Sequence, residues 1–215
     1  EVQKKQVQQA DIILLGETHD HPTHHQLQAE VIAWLKPKTV AFEMLNHSQQ
    51  STLDQIHQKA FDSWNEQLAW TKRGWPKFDL YAPIFKQIHK LKIPILAAHP
   101  DKKTILPLKL GKELEASLIK ALALDHPLDP KSLAELEEEI KVGHCGYAPK
   151  SLMGLMVQAQ RLKDAWMARA LIQAKKPVIL IVGRGHTLMH RGIPWSTKQL
   201  SDRSFKVQVI DFTLN

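Results

Sequence analysis

Five apolar stretches rich in β-branched residues recur along the chain: "DIILL" (11–15), "TVAFE" (39–43), "IPILAA" (93–98), "PVILIV" (177–182) and "KVQVIDF" (206–212). The first four are unbroken runs rather than alternations, the pattern of strands covered on both faces. Helical patterns separate them. "PTHHQLQAEVIAWL" opens on Pro22, a residue suited to the first helical position, and sets Leu27, Val31, Trp34 and Leu35 along one side. Strands that alternate with helices in this way predict an α/β fold, a mostly parallel sheet with helices on both faces.

Two segments are longer than a simple crossover needs. Residues 45–91 read as two helices around a break at Gly74 to Pro76, and residues 108–175 supply more helix, including the acidic "SLAELEEEI". They predict an added helical region beside the sheet. No repeat or low-complexity tract divides the chain, so one domain is expected over residues 1–215. No apolar run approaches the ~20 residues that cross a bilayer. The chain does not open with a basic segment followed by an apolar one, so these residues are expected to hold no secretory signal, and composition leaves localisation open.

The formal net charge of +7 favours anionic partners. Nucleic acid is not among those expected, because the lysines (Lys102, Lys103, Lys109, Lys112, Lys120) scatter through helical patterns instead of forming basic runs interleaved with aromatics. The single cysteine, Cys145, excludes an internal disulfide and a multi-cysteine zinc site.

Two of the apolar runs end alike: "ILLGETH" and "ILIVGRGH" both stop at a glycine and place a histidine three residues beyond it. In a parallel sheet the residues past the carboxyl ends of the strands gather on one edge, where such folds bind ligands. Four strands then deliver polar groups to that edge: Glu17 and His19, Glu43, His99, and Arg184 with His186. One Gly-x-x-His is short enough to arise by chance, and strand-end polar groups often do no more than satisfy a turn. Two such motifs, with Glu43 inside an otherwise apolar run, favour function, since buried ionisable groups are costly without a task. His19, His186 and Glu43 are candidate ligands for a divalent metal. Without metal, a glutamate can act as base toward water and a histidine as acid.

Further histidines follow in "HDHPTHH". A helix starting at Pro22 puts His24 and His25 in its first turn and His21 before it, so an exposed polar helix start accounts equally well for His21 and His25. The loop "GHCGYAP" (143–149) presents His144, Cys145 and Tyr147. A phenolate, thiolate or imidazole in a loop is what ferric haem takes as axial ligand, with apolar walls for the ring and cations for the propionates. Leu152, Met153, Leu155 and Met156 offer walls, although by spacing they read as plain core. In "QAQRLKDAWMA", Gln160 and Asp164 share a face, and a carboxylate among apolar residues there invites a strand-end His or Arg as partner, in the manner of a group that orients an imidazole.

"LLGETHDHPTHH", "FEM", "WPKFDLYAPIFKQIHKLKIPILAAH", "AQRLKDAWMA" and "GRGHTLMHRGIP" occur in that order, over roughly residues 11–195, and resemble the haem-binding uptake family called ChaN, within the wider Tiki and erythromycin-esterase-like superfamily. The resemblance implies a three-layer α/β/α core in a lipoprotein of the bacterial cell envelope that handles haem iron. It implies haem held by Tyr and His side chains where two copies of the chain meet, a haem receptor or transporter as partner, and contact with the membrane only through a lipid anchor. The shared signature falls on Glu17, His19, Glu43 and His186. The candidate haem contacts are Tyr147, His144, His24, Met153 and Arg161. Other branches of the superfamily resemble hydrolases, which implies an alternative: metal-dependent ester or peptide cleavage by Glu17, His19, Glu43 and His186. The expectation is a homodimeric haem-binding protein rather than a fast enzyme.

Overall fold

Each of the five apolar stretches forms a strand, and every pairing between them is parallel. The computed structural model describes residues 2–143 and 147–214. Its elements run α1 (Val2–Gln8), β1 (Ile12–Glu17), α2 (Pro22–Leu35), β2 (Thr39–Asn46), α3 (Gln50–Gln55), α4 (Trp64–Gln67), α5 (Phe78–Leu91), β3 (Ile95–His99), α6 (Lys102–Lys109), α7 (Ala116–Ala121), α8 (Pro130–Gly143), α9 (Met153–Gln173), β4 (Val178–Gly183), α10 (Ile193–Leu200) and β5 (Val207–Asp211). Short 3₁₀ turns join several of them. The strand order is β3-β2-β4-β1-β5, so β4 lies between β2 and β1, and the chain reverses its winding across the three central strands. That is the place where an open α/β sheet forms its ligand crevice.

Alternation along the strands divides the core in two. Ile13, Leu15, Val40, Phe42, Ile179 and Ile181 face α2, α5 and the 45–77 segment, while Ile12, Leu14, Ala41, Val178, Leu180 and Val182 face α9 and α10. Strands buried on both faces have no polar face to show, which is why their sequences do not alternate. The result is an α/β/α three-layer fold.

Two helical segments differ from the sequence expectation. Before the break at Gly74 (φ +81°), residues 45–73 form not one helix but α3 and α4 linked by 3₁₀ turns. Their aromatic side chains, Trp64 and Trp70, are driven fully into the core beside Phe85, and the backbone follows them. In α2 the buried residues are His24, His25, Gln28 and Ile32 rather than the apolar stripe; Leu27, Val31 and Leu35 are half-buried and Trp34 is 42% exposed. The helix turns its polar side inward because Glu17 lies beneath it and needs hydrogen-bond donors.

α9 belongs to two structures. Its C-terminal half packs on the sheet through Met167, Ala168 and Leu171, while its N-terminal half carries α6 and α7 on Leu162 and Ala165, and α8 on Met153 and Val157. The extra helices of residues 102–143 are thus an arm built on α9.

Phe85 is fully buried, with its ring 4.8 Å from Phe42, 5.2 Å from Phe78 and 5.4 Å from Trp70. Phe85→Ala is expected to destabilise the fold by about 3–5 kcal/mol in urea denaturation, against no more than about 0.5 kcal/mol for Trp34→Ala on the surface.

Candidate functional site

β1, β2 and β4 end side by side and, with α2 and α9, bring three carboxylates and three imidazoles into one chain of contacts. Glu17, the last residue of β1, has a fully buried side chain. Its Oε1 accepts a hydrogen bond from the Tyr81 hydroxyl at 2.6 Å and lies 2.8 Å from His19 Nδ1; its Oε2 accepts one from Gln28 Nε2 at 2.7 Å and lies 3.3 Å from His25 Nδ1. Gln28 also donates to the Leu15 carbonyl, which fixes its amide so that Oε1 faces His25 Nδ1 at 3.1 Å. The other ring nitrogen of His25 meets the His19 carbonyl at 3.0 Å. Both nitrogens of His25 therefore face acceptors, the environment of an imidazolium.

Glu43, inside β2, continues the chain. Its Oε2 accepts the Gly183 backbone N–H at 2.8 Å and lies 3.8 Å from His19 Nε2; its Oε1 lies 3.2 Å from His186 Nε2. The far nitrogen of His186 is 2.5 Å from Asp164 Oδ1 on α9, with the Gln160 amide against the same ring. The order of the chain is thus His25, Glu17, His19, Glu43, His186, Asp164, imidazole and carboxylate alternating throughout.

Charge on these groups is set by two opposed effects. Burial disfavours the charged form of every member, and the neighbours favour it. For Glu17, burial pushes the carboxyl up, but hydrogen bonds from His19, His25 and Tyr81 with the charge of His25 outweigh it and hold the group at about 2. Glu43 is likewise held well below the carboxylate range, its burial overcome by His186, His19 and the Gly183 N–H. Burial lowers His186, yet Glu43 and Asp164 on either side raise it to about 10. His19 and His25 are also raised against their burial, chiefly by Glu17. Asp164 moves upward because its burial exceeds the pull of His186, and Tyr81 because it is buried beside Glu17. Both therefore hold their protons more tightly.

The two Gly-x-x-His motifs are alike in sequence and unlike in place. Gly16 sits within β1 opposite Val182, whereas Gly183 ends β4 opposite Glu17, a register offset of one residue. A Cβ on Gly183 would lie 3.0 Å from His19 Nε2, so glycine there leaves room for the other motif's imidazole. A Cβ on Gly16 would instead crowd the Thr187 methyl at 3.2 Å. Of the chain's members only His19 opens to solvent, with 31% of its side chain exposed and Trp75 edge-on at 5.1 Å.

His19, His186 and Glu43 thus meet, with Glu43 between the imidazoles. Among the described residues no group of three or more His, Cys, Asp or Glu is disposed to hold a metal ion. The nitrogens of His186 face carboxylates, and an imidazolium has no lone pair to give a metal. Arg184 turns away toward Asp211 at the sheet edge (3.3 Å). His99 is half-buried near the site, lowered by burial, with Nδ1 2.8 Å from the Pro100 carbonyl. His24 caps the Thr18 N–H at 3.1 Å and stacks on His21. Met153 is buried with Leu128, Leu136 and Val157, and Arg161 is held by the His126 carbonyl and the Trp195 ring. Tyr147 is exposed; His144 and Cys145 lie outside the described residues.

Sequence reasoning expected a strand-end His or Arg as the partner of Asp164, and the structure puts His186 there. It missed Tyr81 and Gln28 and left His25 undecided. Tyr81 had a signal, being one of only two tyrosines and lying in the "FDLYAP" stretch of the recognised motifs. Gln28 had none.

The fold is shared with a solved protein. Residues 4–196 match the sequence model of the family described as haem-binding uptake, Tiki superfamily, ChaN, and the chain belongs to that family. A structure of ChaN from Campylobacter jejuni, described as showing cofacial haem binding, has a TM-score of 0.74 at 24% identity, over 96% of this chain and 83% of that one. The type III effector HopBA1 has a TM-score of 0.46 at 16% identity, over 82% of this chain and 67% of that one. No curated protein matches the sequence.

The shifts fix a pH window. The raised His186 contributes stability that is complete below its ordinary value of 6.5 and lost as pH rises through about 10. The lowered Glu17 contributes stability present above its ordinary 4.5 and lost as pH falls through about 2. Denaturation profiles are expected to be flat between those ordinary values and to decline on both sides. Asp164→Asn is expected to lower the His186 midpoint read by NMR; a midpoint near 6.5 in the parent chain would contradict the ion chain.

Proposed function

We propose that the chain binds haem on the helical arm, where Tyr147 projects at the start of the segment leading into α9. The observation that carries this reading is a groove of about 330 Å³ on the arm, with Tyr147, 88% exposed, five residues before its lining residue Leu152 in the chain. Ile105, Leu108, Ile140, Leu152, Leu155 and Met156 line the groove, and Lys109 and Lys163 stand at its edge. The volume lies in the ~300–1,000 Å³ range of small-molecule sites. These residues fit haem: a phenol for ferric iron, aliphatic and thioether walls for the porphyrin, and ammonium groups for the propionates. Membership of a haem-binding uptake family supports the same ligand.

A large aromatic at that exposure, with Val142 and Leu152 also exposed nearby, calls for a cover. The reading supplies it with a second copy of the chain, haem lying between the two, as the cofacial binding described for the Campylobacter jejuni protein suggests. His144 adds an imidazole close in sequence. Met153 and Arg161 act behind the groove as core and support, since both are engaged within the arm. Placement in the bacterial envelope through a lipid anchor, and delivery of haem to a receptor or transporter, complete the proposal. Among the described residues no helix is long and apolar enough to cross a membrane.

A second reading is favoured by one observation. His19, backed by Glu17 and Glu43, is a solvent-facing imidazole whose proton affinity the buried chain controls. In its neutral form such a group can take a proton from water in ester or peptide hydrolysis, the role that the family resemblance implies for Glu17, His19, Glu43 and His186. Turnover of activated esters or short peptides, with or without added zinc or manganese, would have to disappear in His19→Ala while haemin binding persists. No turnover in the parent chain under either condition ends this reading.

Titration with haemin is expected to give a saturable Soret shift, with the mass seen by light scattering doubling over the same range. Tyr147→Phe should weaken binding at least tenfold and change the spectrum, and His144→Ala should alter it less. Unchanged spectra in both variants would remove the ligand assignment.

A further inference from the structure

We propose that the pocket at the carboxyl ends of β2 and β3 binds a small anion carrying a phosphate or carboxylate group, at a site separate from the haem groove. Three parts of the chain meet there: Asn46 at the end of β2, the 3₁₀ turn holding Lys72 and Arg73, and Asp101 with Lys102 and Lys103 at the start of α6. They line an open pocket of about 470 Å³.

Charge is the first argument. Four cations line the pocket against one carboxylate, and Asp101 already accepts the Ser48 backbone N–H at 2.8 Å. Among the described residues none of the four cations forms an ion pair, although others on this surface, such as Lys141 with Glu138, do. Like charges crowded at one edge repel, and a site of one sign concentrates counter-ions.

Arg73 is the second. Its Nη1 donates to Asn46 Oδ1 at 2.9 Å, a neutral acceptor, and its Nε is buried with no acceptor among the described residues. Burial lowers its proton affinity, relieved only by Asp101. A desolvated guanidinium donor without an acceptor is costly. An oxyanion in the pocket can pair with the outer N–H groups of the Arg73 fork, and Lys72, Lys102 and Lys103 supply point charges around it. α6 adds its unpaired N-terminal N–H groups from the same direction.

The location separates this site from haem. α6 contributes Lys102 and Lys103 at one end to the anion pocket, and Ile105, Leu108 and Lys109 toward the other end to the groove on the arm. A helix of this length spans about 12 Å. A porphyrin lying in the groove therefore leaves the anion pocket open; this last point alone rests on the haem reading.

Calorimetry on the full chain at low ionic strength tests the proposal, with inorganic phosphate in one arm and succinate in the other. Saturable one-to-one binding is expected for at least one anion, weakening as sodium chloride is raised. The tighter arm identifies the ligand class. Arg73→Gln should weaken it tenfold or more, and Arg73→Lys should not restore it. Lys102→Gln with Lys103→Gln, an exposed pair whose loss leaves the core untouched, should weaken it several-fold. Tyr147→Phe should leave it unchanged, as should saturation with haemin. No saturable heat with either anion, or equal affinity in the Arg73 and lysine variants, overturns the site. Displacement of the anion by haemin overturns its independence and gives the pocket to the propionates. Failure of the haem reading would show as a missing Soret shift with the phosphate or succinate heat intact.

Discussion

Glu17, Glu43 and Asp164 are carboxylates taken out of water at the crevice of the sheet, and the molecule is arranged so that none of them stands alone. Each has a histidine beside it: Glu17 touches His19 and His25, Glu43 lies between His19 and His186, and Asp164 holds the far side of His186. Desolvating an isolated carboxylate would shift it to its neutral form, so the chain of alternating charge is a condition for three acids at this depth. Such pairs bring little net stability. Removing one partner leaves another charge buried and unpaired, at about 3–5 kcal/mol.

That requirement reaches outward into the layers. α2 gives up an apolar inner face to place His25 and Gln28 over Glu17, and α5 places Tyr81 there from the same side. From the opposite face of the sheet, α9 sends Asp164 and Gln160 to His186. Gly183 opens the space that His19 occupies. Helices on both faces of the sheet are thus tied to the same row of charges, and only His19 connects it with solvent.

The proposed haem surface, by contrast, lies on the helical arm. α9 carries Gln160 against His186 and also along the wall of the groove on the arm, so the buried acid–base chain and the proposed haem surface share one side chain. α6 joins that groove to the cationic pocket around Arg73.

What could be read in the sequence was what depends on local order. Unbroken apolar runs separated by helical patterns determined the strands, the α/β class and the convergence of Glu17, His19, Glu43 and His186, because parallel strands must end on one edge. The inward carboxylate of α9 implied a strand-end His or Arg as its partner for the same kind of reason. What the tertiary structure alone decided was relative placement: the one-residue offset between the two Gly-x-x-His motifs, the polar inner face of α2, the broken helices before Gly74, and the meeting of Asn46, Arg73 and Lys102 in one pocket. Periodicity says which residues share a face. Which neighbour that face meets depends on packing between segments far apart in the chain, and a buried charge settles where distant partners can neutralise it.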